Sequence, residues 1–233
     1  MKLAVLFSGG KDSHLALYKA SLEHEIVCAI TMKSENSYSY MFQSLGVEYT
    51  ALQLKAQGIL QHIVKTKGEK EAELEDLKRG IREAIELYGV EGIVTGAIKS
   101  TYQASRIQQI CRDLDIWCFN PLWDLDEEEM LKELISKFSV VLLGVFAYPL
   151  TREFVGKKLD TNLVQKLLEY QKKYQISAIG EGGEFESFVL NGPLYKNPLE
   201  ISIQSLTSEA ENCVFVEKFE VIESKNSNNN YNS

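Results

Sequence analysis

Two rhythms of apolar residues alternate along this chain. Short apolar runs at 3–7, 26–30, 59–64, 92–96, 117–119 and 140–146 read as buried strands. Between them, apolar positions recur at helical spacing. Leu15, Tyr18 and Leu22 share one face, and Leu74, Leu77, Ile81, Ile85 and Tyr88 form a stripe among charged residues that Gly89 closes. Residues 47–57 read as a helix stopped at Gly58. A further helix runs through Arg106, Ile110 and Leu114, and another with an acidic start spans 126–138. Strands alternating with helices in this way predict an α/β protein built on a doubly wound parallel sheet. Past Tyr148 the rhythm changes to a helix at 163–174 and then strands at 188–190, 200–206 and 213–222 with no helices between them. The expected division is therefore an α/β domain over 1–148, a smaller C-terminal α+β subdomain over 149–223, and a tail over 224–233. That tail, SKNSNNNYNS, has almost nothing to bury and is expected to be disordered.

Charge and composition narrow the partners. The 233 residues carry a formal net charge of -8 and a pI of about 5.1, so no global basic field attracts nucleic acid or an anionic membrane. An anionic ligand must be held by local positive groups. No apolar stretch approaches the roughly 20 residues needed to cross a bilayer, no signal peptide is expected, and the chain reads as cytosolic. Cys28, Cys111, Cys118 and Cys213 show no C-x-x-C spacing, and His14, His24 and His62 lie far from them in sequence. Zinc spacing is absent and buried free thiols are the expectation. The oligomeric state is left open, a homodimer being admissible.

The most informative stretch is Ser8-Gly9-Gly10-Lys11-Asp12-Ser13, between the first strand and the first helix. Paired glycines let the backbone turn where a Cβ would clash, and the positive end of the helix dipole lies behind them. Such a turn binds anions, most often phosphate. Lys11 adds a point charge, Ser8 and Ser13 add hydroxyls, and Asp12 is a carboxylate suited to hold Mg2+ against phosphate oxygens. The spacing matches neither G-x-x-x-x-G-K-[ST] nor G-x-G-x-x-G.

Two further stretches carry chemistry. In EGGEFES, residues 181–187, two glycines allow close approach while Glu181, Glu184 and Glu186 place three carboxylates in one turn, an arrangement that asks for a cation or a polar substrate. Residues 96–106 leave the end of a strand on the same sheet edge as SGGKDS, so Gly96, Tyr102, Gln103 and Arg106 can reach one crevice, Arg106 as a clamp for phosphate or carboxylate. His14 reads as an incidental residue of the first helical turn.

SGGKDS after an N-terminal strand resembles the pyrophosphatase loop of the N-type ATP pyrophosphatases, which release AMP and pyrophosphate. Further motifs extend the likeness: TMKSEN at 31–36, SYMF at 39–42, KGEKE at 67–71, EDLK at 75–78, VEGIVTGAI at 90–98, NPLW at 120–123 and EGGEFESFVLNGPLY at 181–195. With these, the chain is similar to the diphthine-ammonia ligase family, in its short archaeal-type form, from about residue 2 to residue 206. The resemblance implies a Rossmann-like fold of the adenine nucleotide alpha-hydrolase kind. It also implies amidation of the diphthine carboxylate on translation elongation factor 2 with ammonia and ATP, through an acyl adenylate. ATP would lie on Ser8, Gly9, Gly10, Lys11, Asp12, Ser13, Thr31, Met32, Gly96 and Arg106, with Mg2+ on Asp12. The diphthine side chain would meet Glu181, Gly182, Gly183, Glu184 and Glu186 beside Tyr102 and Gln103, with Lys11, Asp12, Glu184 and Glu186 in catalytic roles. Free ammonia is the expected donor, since no glutaminase domain is visible. Gln43 departs from the histidine that many relatives carry there. Two other readings stay open on the residues alone: an AMP-forming amidoligase for a small carboxylate, and a nucleotide-binding sensor without turnover. A thiolating enzyme would need Cys111 or Cys118 to be reactive.

Overall fold

The computed structural model of the chain describes residues 1–34, 45–67 and 72–224. Its centre is β1 (Lys2–Leu6), in which Leu3, Ala4 and Val5 have no exposed surface. Leu3 and Val5 pack against α1 (Lys11–Ser21), whereas Ala4 faces the opposite layer. A strand buried on both faces needs a partner on each edge. β2 (Glu25–Ser34) pairs on one side and β4 (Gly92–Val94) on the other, both parallel to β1. β3 (Gln61–Thr66) and β5 (Trp117–Phe119) complete a five-stranded parallel sheet in the order β3-β2-β1-β4-β5. The connections reverse direction between β1 and β4, and a crevice opens beyond the carboxyl ends of strands at such a point. The turns after β1 and β4 therefore face one another across the ligand edge of the sheet.

Helices cover both faces. α2 (Thr50–Gln57) follows a 3-10 turn at Val47–Tyr49 and stops at Gly58, which takes the left-handed conformation at φ 72°. α3 (Ala72–Tyr88) and α4 (Thr101–Asp113) pack Leu77, Ile81, Ile107 and Ile110 on Ala4, Ile30 and Ile93. α5 (Glu127–Lys137) and α6 (Thr161–Tyr174) are capped by Asp126 and Asp160, whose carboxylates accept N–H bonds from Glu129 at 3.0 Å and Leu163 at 2.8 Å. The strand expected at 59–64 begins later, because the Ile59 N–H closes the end of α2 on the Leu54 carbonyl at 3.0 Å.

A second, antiparallel sheet of order β7-β6-β9-β8 joins β6 (Ser139–Val145) to β7 (Phe185–Asn191), β8 (Leu199–Ala210) and β9 (Cys213–Glu223). The apolar run at 140–146, expected in the parallel sheet, is thus a central strand of this second sheet. Val140 and Leu142 face α1, α5 and α6, while Val141 and Leu143 face a separate cluster with Phe188, Val216 and Phe219. Burial on both faces makes a strand apolar throughout whatever the direction of its neighbours, so the run could not reveal its sheet. Sheet membership changes between Phe119 and Ser139, and one continuous core runs from β1 through α1 to β6, β7 and β9. Among the described residues, no helix is long and apolar enough to cross a membrane. SYMF at 39–42, Gln43, most of KGEKE and the tail after residue 224 lie outside the described residues.

Candidate active site

The SGGKDS turn is fixed from inside the protein. Gly9 sits at φ 86°, and a Cβ there would lie 2.6 Å from the Gln53 side-chain oxygen. The Gln53 amide donates to the Gly9 carbonyl at 3.1 Å and to the Val189 carbonyl at 2.8 Å. Gly10 is the N-cap of α1, and its carbonyl accepts from the Ser13 hydroxyl at 2.9 Å and from His14 Nδ1 at 3.0 Å. Inward-turned carbonyls anchor the loop, and Lys11 and Asp12 border the cleft. The Lys11 N–H donates to the Ser187 hydroxyl at 3.2 Å, so the first chemical motif is bonded directly to the second, 176 residues away.

Around that bond lies a cleft of about 540 Å³, within the range of small-molecule sites. It brings together Ser8, Lys11, Asp12 and Ser13 with Met32 and Gly96, with Tyr102 and Gln103 of α4, and with Glu181, Gly182, Gly183 and Glu186. Gly96 is there for space: a Cβ would stand 3.0 Å from the Asp12 carbonyl carbon and 3.1 Å from the Ser13 nitrogen. Lys11 is 3% exposed, with Nζ 2.8 Å from Asp12 Oδ2 and 5.1 Å from the centre of the Phe185 ring. Asp12 Oδ1 has no partner among the described residues. Burial raises the Asp12 carboxyl above the ordinary aspartate range; Lys11 draws it back down and the charge of Glu181 adds to the rise.

Several residues expected at the ligand are placed elsewhere. Gly9 and Gly10 shape the turn without lining the cleft. Thr31 points to the opposite face of β2 from Ile30 and Met32, because side chains alternate along a strand, and it accepts from Gln61 Nε2 at 3.0 Å. Arg106 lies over the Tyr102 ring, 3.5 Å from its centre, and is not part of the lining. The three carboxylates of EGGEFES do not converge. Glu181 Oε1 accepts the successive N–H groups of Ile98 at 3.0 Å, Lys99, and Ser100 at 2.8 Å, tying the EGG turn to the start of α4. Glu184 is buried outside the cleft, accepting from the Ser177 N–H at 2.8 Å. Glu186 lines the cleft and accepts from the Leu45 N–H at 3.0 Å. Backbone donors thus take up much of the negative charge that sequence alone left uncompensated.

Other site residues gave no sequence signal. Glu127, at the start of α5, accepts from Gln171 Nε2 at 2.9 Å, the Ser177 hydroxyl at 3.1 Å and the Ile179 N–H at 3.2 Å, with Lys99 Nζ at 3.5 Å from its other oxygen. It joins α6, the approach to EGGEFES and the turn before α4. His14 is 1% exposed, stacks on Tyr195, and is 2.9 Å from the Tyr195 hydroxyl through Nε2. It is therefore a structural tie rather than an incidental residue.

Burial lowers the His14 pKa from 6.5 to about 4, despite its bond to the Gly10 carbonyl. Above pH 6.5 the ring is neutral folded or unfolded and has no effect on the pH dependence. Between 6.5 and about 4 only the unfolded chain binds the proton, so stability falls with pH by about 3 kcal/mol in total. Urea unfolding at pH 7.5 and pH 5 is expected to show the loss, and His14→Asn is expected to flatten that part of the profile.

A glycine turn carrying Lys and Asp ahead of a helix, at the switch point of a parallel sheet, defines an α/β protein with a ligand cleft suited to an anionic group. Comparison with known proteins narrows this. The diphthamide synthase N-terminal domain matches residues 1–117 and the diphthamide synthase C-terminal domain matches residues 126–225. A protein of Bos taurus is 32% identical over 232 residues, covering 90% of this chain and 86% of its own length, and one of Homo sapiens is 33% identical over 223 residues, covering 85% and 82%. One of Schizosaccharomyces pombe is 34% identical over 221 residues; the match spans 87% of this chain and only 36% of the longer yeast protein. All three are named diphthine--ammonia ligase. The chain belongs to the diphthamide synthase family.

Proposed function

We propose that this chain amidates the diphthine carboxylate of translation elongation factor 2 with ammonia and ATP, forming diphthamide, AMP and pyrophosphate. The observation that supports the reading is the bond from the Lys11 N–H to Ser187, which holds the SGGKDS turn beside the EGGEFES stretch at one cleft. Ammonia cannot expel oxide from a carboxylate, so the acid must first be activated. A carboxylate oxygen attacks the α-phosphorus of ATP, the bond to pyrophosphate breaks, and an acyl adenylate results. Lys11 and the positive end of α1 hold the leaving pyrophosphate, and Gly96 lets the turn after β4 close against the first turn of α1 at the cleft. The unpartnered Asp12 Oδ1 suits Mg2+, which when bound would supply charge neutralisation at phosphate oxygens. Ammonia then attacks the acyl carbon, AMP departs, and Glu186 takes the proton released from nitrogen. Glu186 and the second oxygen of Glu181 also suit the trimethylammonium of diphthine. Glu184, turned away from the cleft, supports the loop and takes no part in the chemistry.

The test combines purified chain, ATP, Mg2+, ammonium and diphthine-bearing elongation factor, reading AMP and the mass of the factor together. The expected result is AMP in step with a loss of about one mass unit, acid to amide. Pyrophosphate release driven by a small carboxylate, with the factor unchanged, would replace this substrate by another.

A further inference from the structure

The ligase chemistry leaves a pair of thiols unused on the far side of β4 and β5. Cys111, on the last turn of α4, is 1% exposed, and Cys118, on β5, is half-buried. The Ile116 N–H donates to the Cys111 carbonyl at 3.0 Å, and Asp115 takes a left-handed conformation at φ 54°, so the chain doubles back at once and carries Cys118 beneath Cys111. Both thiols border one open surface cleft of about 560 Å³, together with Arg112 and Trp117. We propose that this cleft is a thiol–disulfide exchange site, in which Cys118 attacks a low-molecular-mass disulfide and Cys111 resolves the product into a Cys111–Cys118 bridge.

The two thiols are unequal in the way the exchange needs. The neighbouring Cys118 thiol, together with burial, holds Cys111 far above the usual thiol range. Cys111 and Asn120 beside it move Cys118 below that range although burial opposes them. Asn120 is oriented by Thr95, whose hydroxyl donates to Asn120 Oδ1 at 2.6 Å. The more accessible sulfur is thus the better nucleophile, and the buried one is its resolving partner. Arg112 places a positive charge at the same cleft. The other cysteines are poor competitors: burial pushes Cys28 up to about 12, and burial and Glu209 raise Cys213. In the exchange, the Cys118 thiolate bonds to one sulfur of the small disulfide, whose S–S bond breaks and releases a thiolate. Cys111 then gives up its proton and attacks Cys118 sulfur, expelling the second. Two protein thiols are oxidised and the small disulfide is reduced to two thiols. Thr95 also lines the nucleotide cleft, so its bond to Asn120 joins that cleft to the end of the strand that carries Cys118. The proposal is independent of the ligase reading.

The experiment treats the whole native chain with oxidised glutathione at neutral pH and maps its peptides without reduction. The expected product is a Cys111–Cys118 cross-link, lighter by two hydrogens and reversed by dithiothreitol, with Cys118 modified at least about tenfold faster than Cys28 or Cys213. Cys111→Ser is expected to stop at a glutathione adduct on Cys118, and Cys118→Ser to leave Cys111 unmodified. Faster labelling of Cys213, or a stable Cys118 adduct in the native chain with no cross-link, would overturn the proposal. Mapping of the unmutated chain decides the matter even if either serine variant folds poorly.

Discussion

Lys11→Ala is expected to lower AMP formation by about 10²- to 10³-fold, the usual loss on removing one preorganised group that faces developing charge. The size follows from position. Lys11 is almost fully enclosed, its ammonium is held between Asp12 and the Phe185 ring, and its backbone is pinned by Ser187. Its charge therefore acts at short range with little screening by water. The substitution has a second consequence. Without Lys11, the carboxyl of Asp12 loses the neighbour that opposes its burial and rises further, so the site becomes less able to hold a cation near phosphate. A double variant, Lys11→Ala with Asp12→Asn, removes that unpaired charge. If the fold recovers its stability in the double variant while AMP formation does not return, the loss belongs to phosphate stabilisation and not to a damaged loop. Steady-state AMP kinetics alongside thermal unfolding of the three proteins makes the comparison.

The second large effect is expected at Glu181. Glu181→Ala removes the acceptor shared by the Ile98, Lys99 and Ser100 N–H groups. Lys99 is exposed and its N–H can turn to water, but Ile98 is 1% exposed, so at least one buried donor is orphaned at a cost of about 1–3 kcal/mol. The start of α4 carries Tyr102 and Gln103 into the cleft, so loosening it is expected to raise the KM for ATP by about tenfold as well. Glu181→Gln keeps an oxygen in the same place without the charge, and is expected to restore most of the stability and most of the nucleotide affinity. A carboxylate whose main task was to bind the substrate cation would behave differently: the glutamine variant would fold normally yet bind the protein substrate as poorly as the alanine variant. Thermal unfolding and separate KM values for ATP and for the factor distinguish the two.

Whatever depended on local pattern was legible in the sequence. Paired glycines after a strand, with Lys and Asp before a helix, located the turn that the structure puts at the switch point, and the stripe from Leu74 to Tyr88 located α3. The choice of sheet for β6 was hidden because a doubly buried strand carries no record of its neighbours' direction. The carboxylates misled for a related reason. Spacing put Glu181, Glu184 and Glu186 in one turn, but each accepts from a different backbone segment, and N–H groups leave no trace in a sequence. Gln53, Glu127 and Tyr195 escaped notice, and His14 read as incidental, because what fixes their role is a partner tens of residues away.

The most direct test of the account follows one oxygen atom. Diphthine-bearing elongation factor with isotopically heavy oxygen in its carboxylate is incubated with the chain, ATP and ammonium, and the AMP is weighed. Attack by the carboxylate on the α-phosphorus predicts one heavy oxygen in each AMP formed and none in pyrophosphate. AMP of ordinary mass, with heavy oxygen retained in the factor or released to water, would mean that the cleft between SGGKDS and EGGEFES does not activate this carboxylate by adenylation.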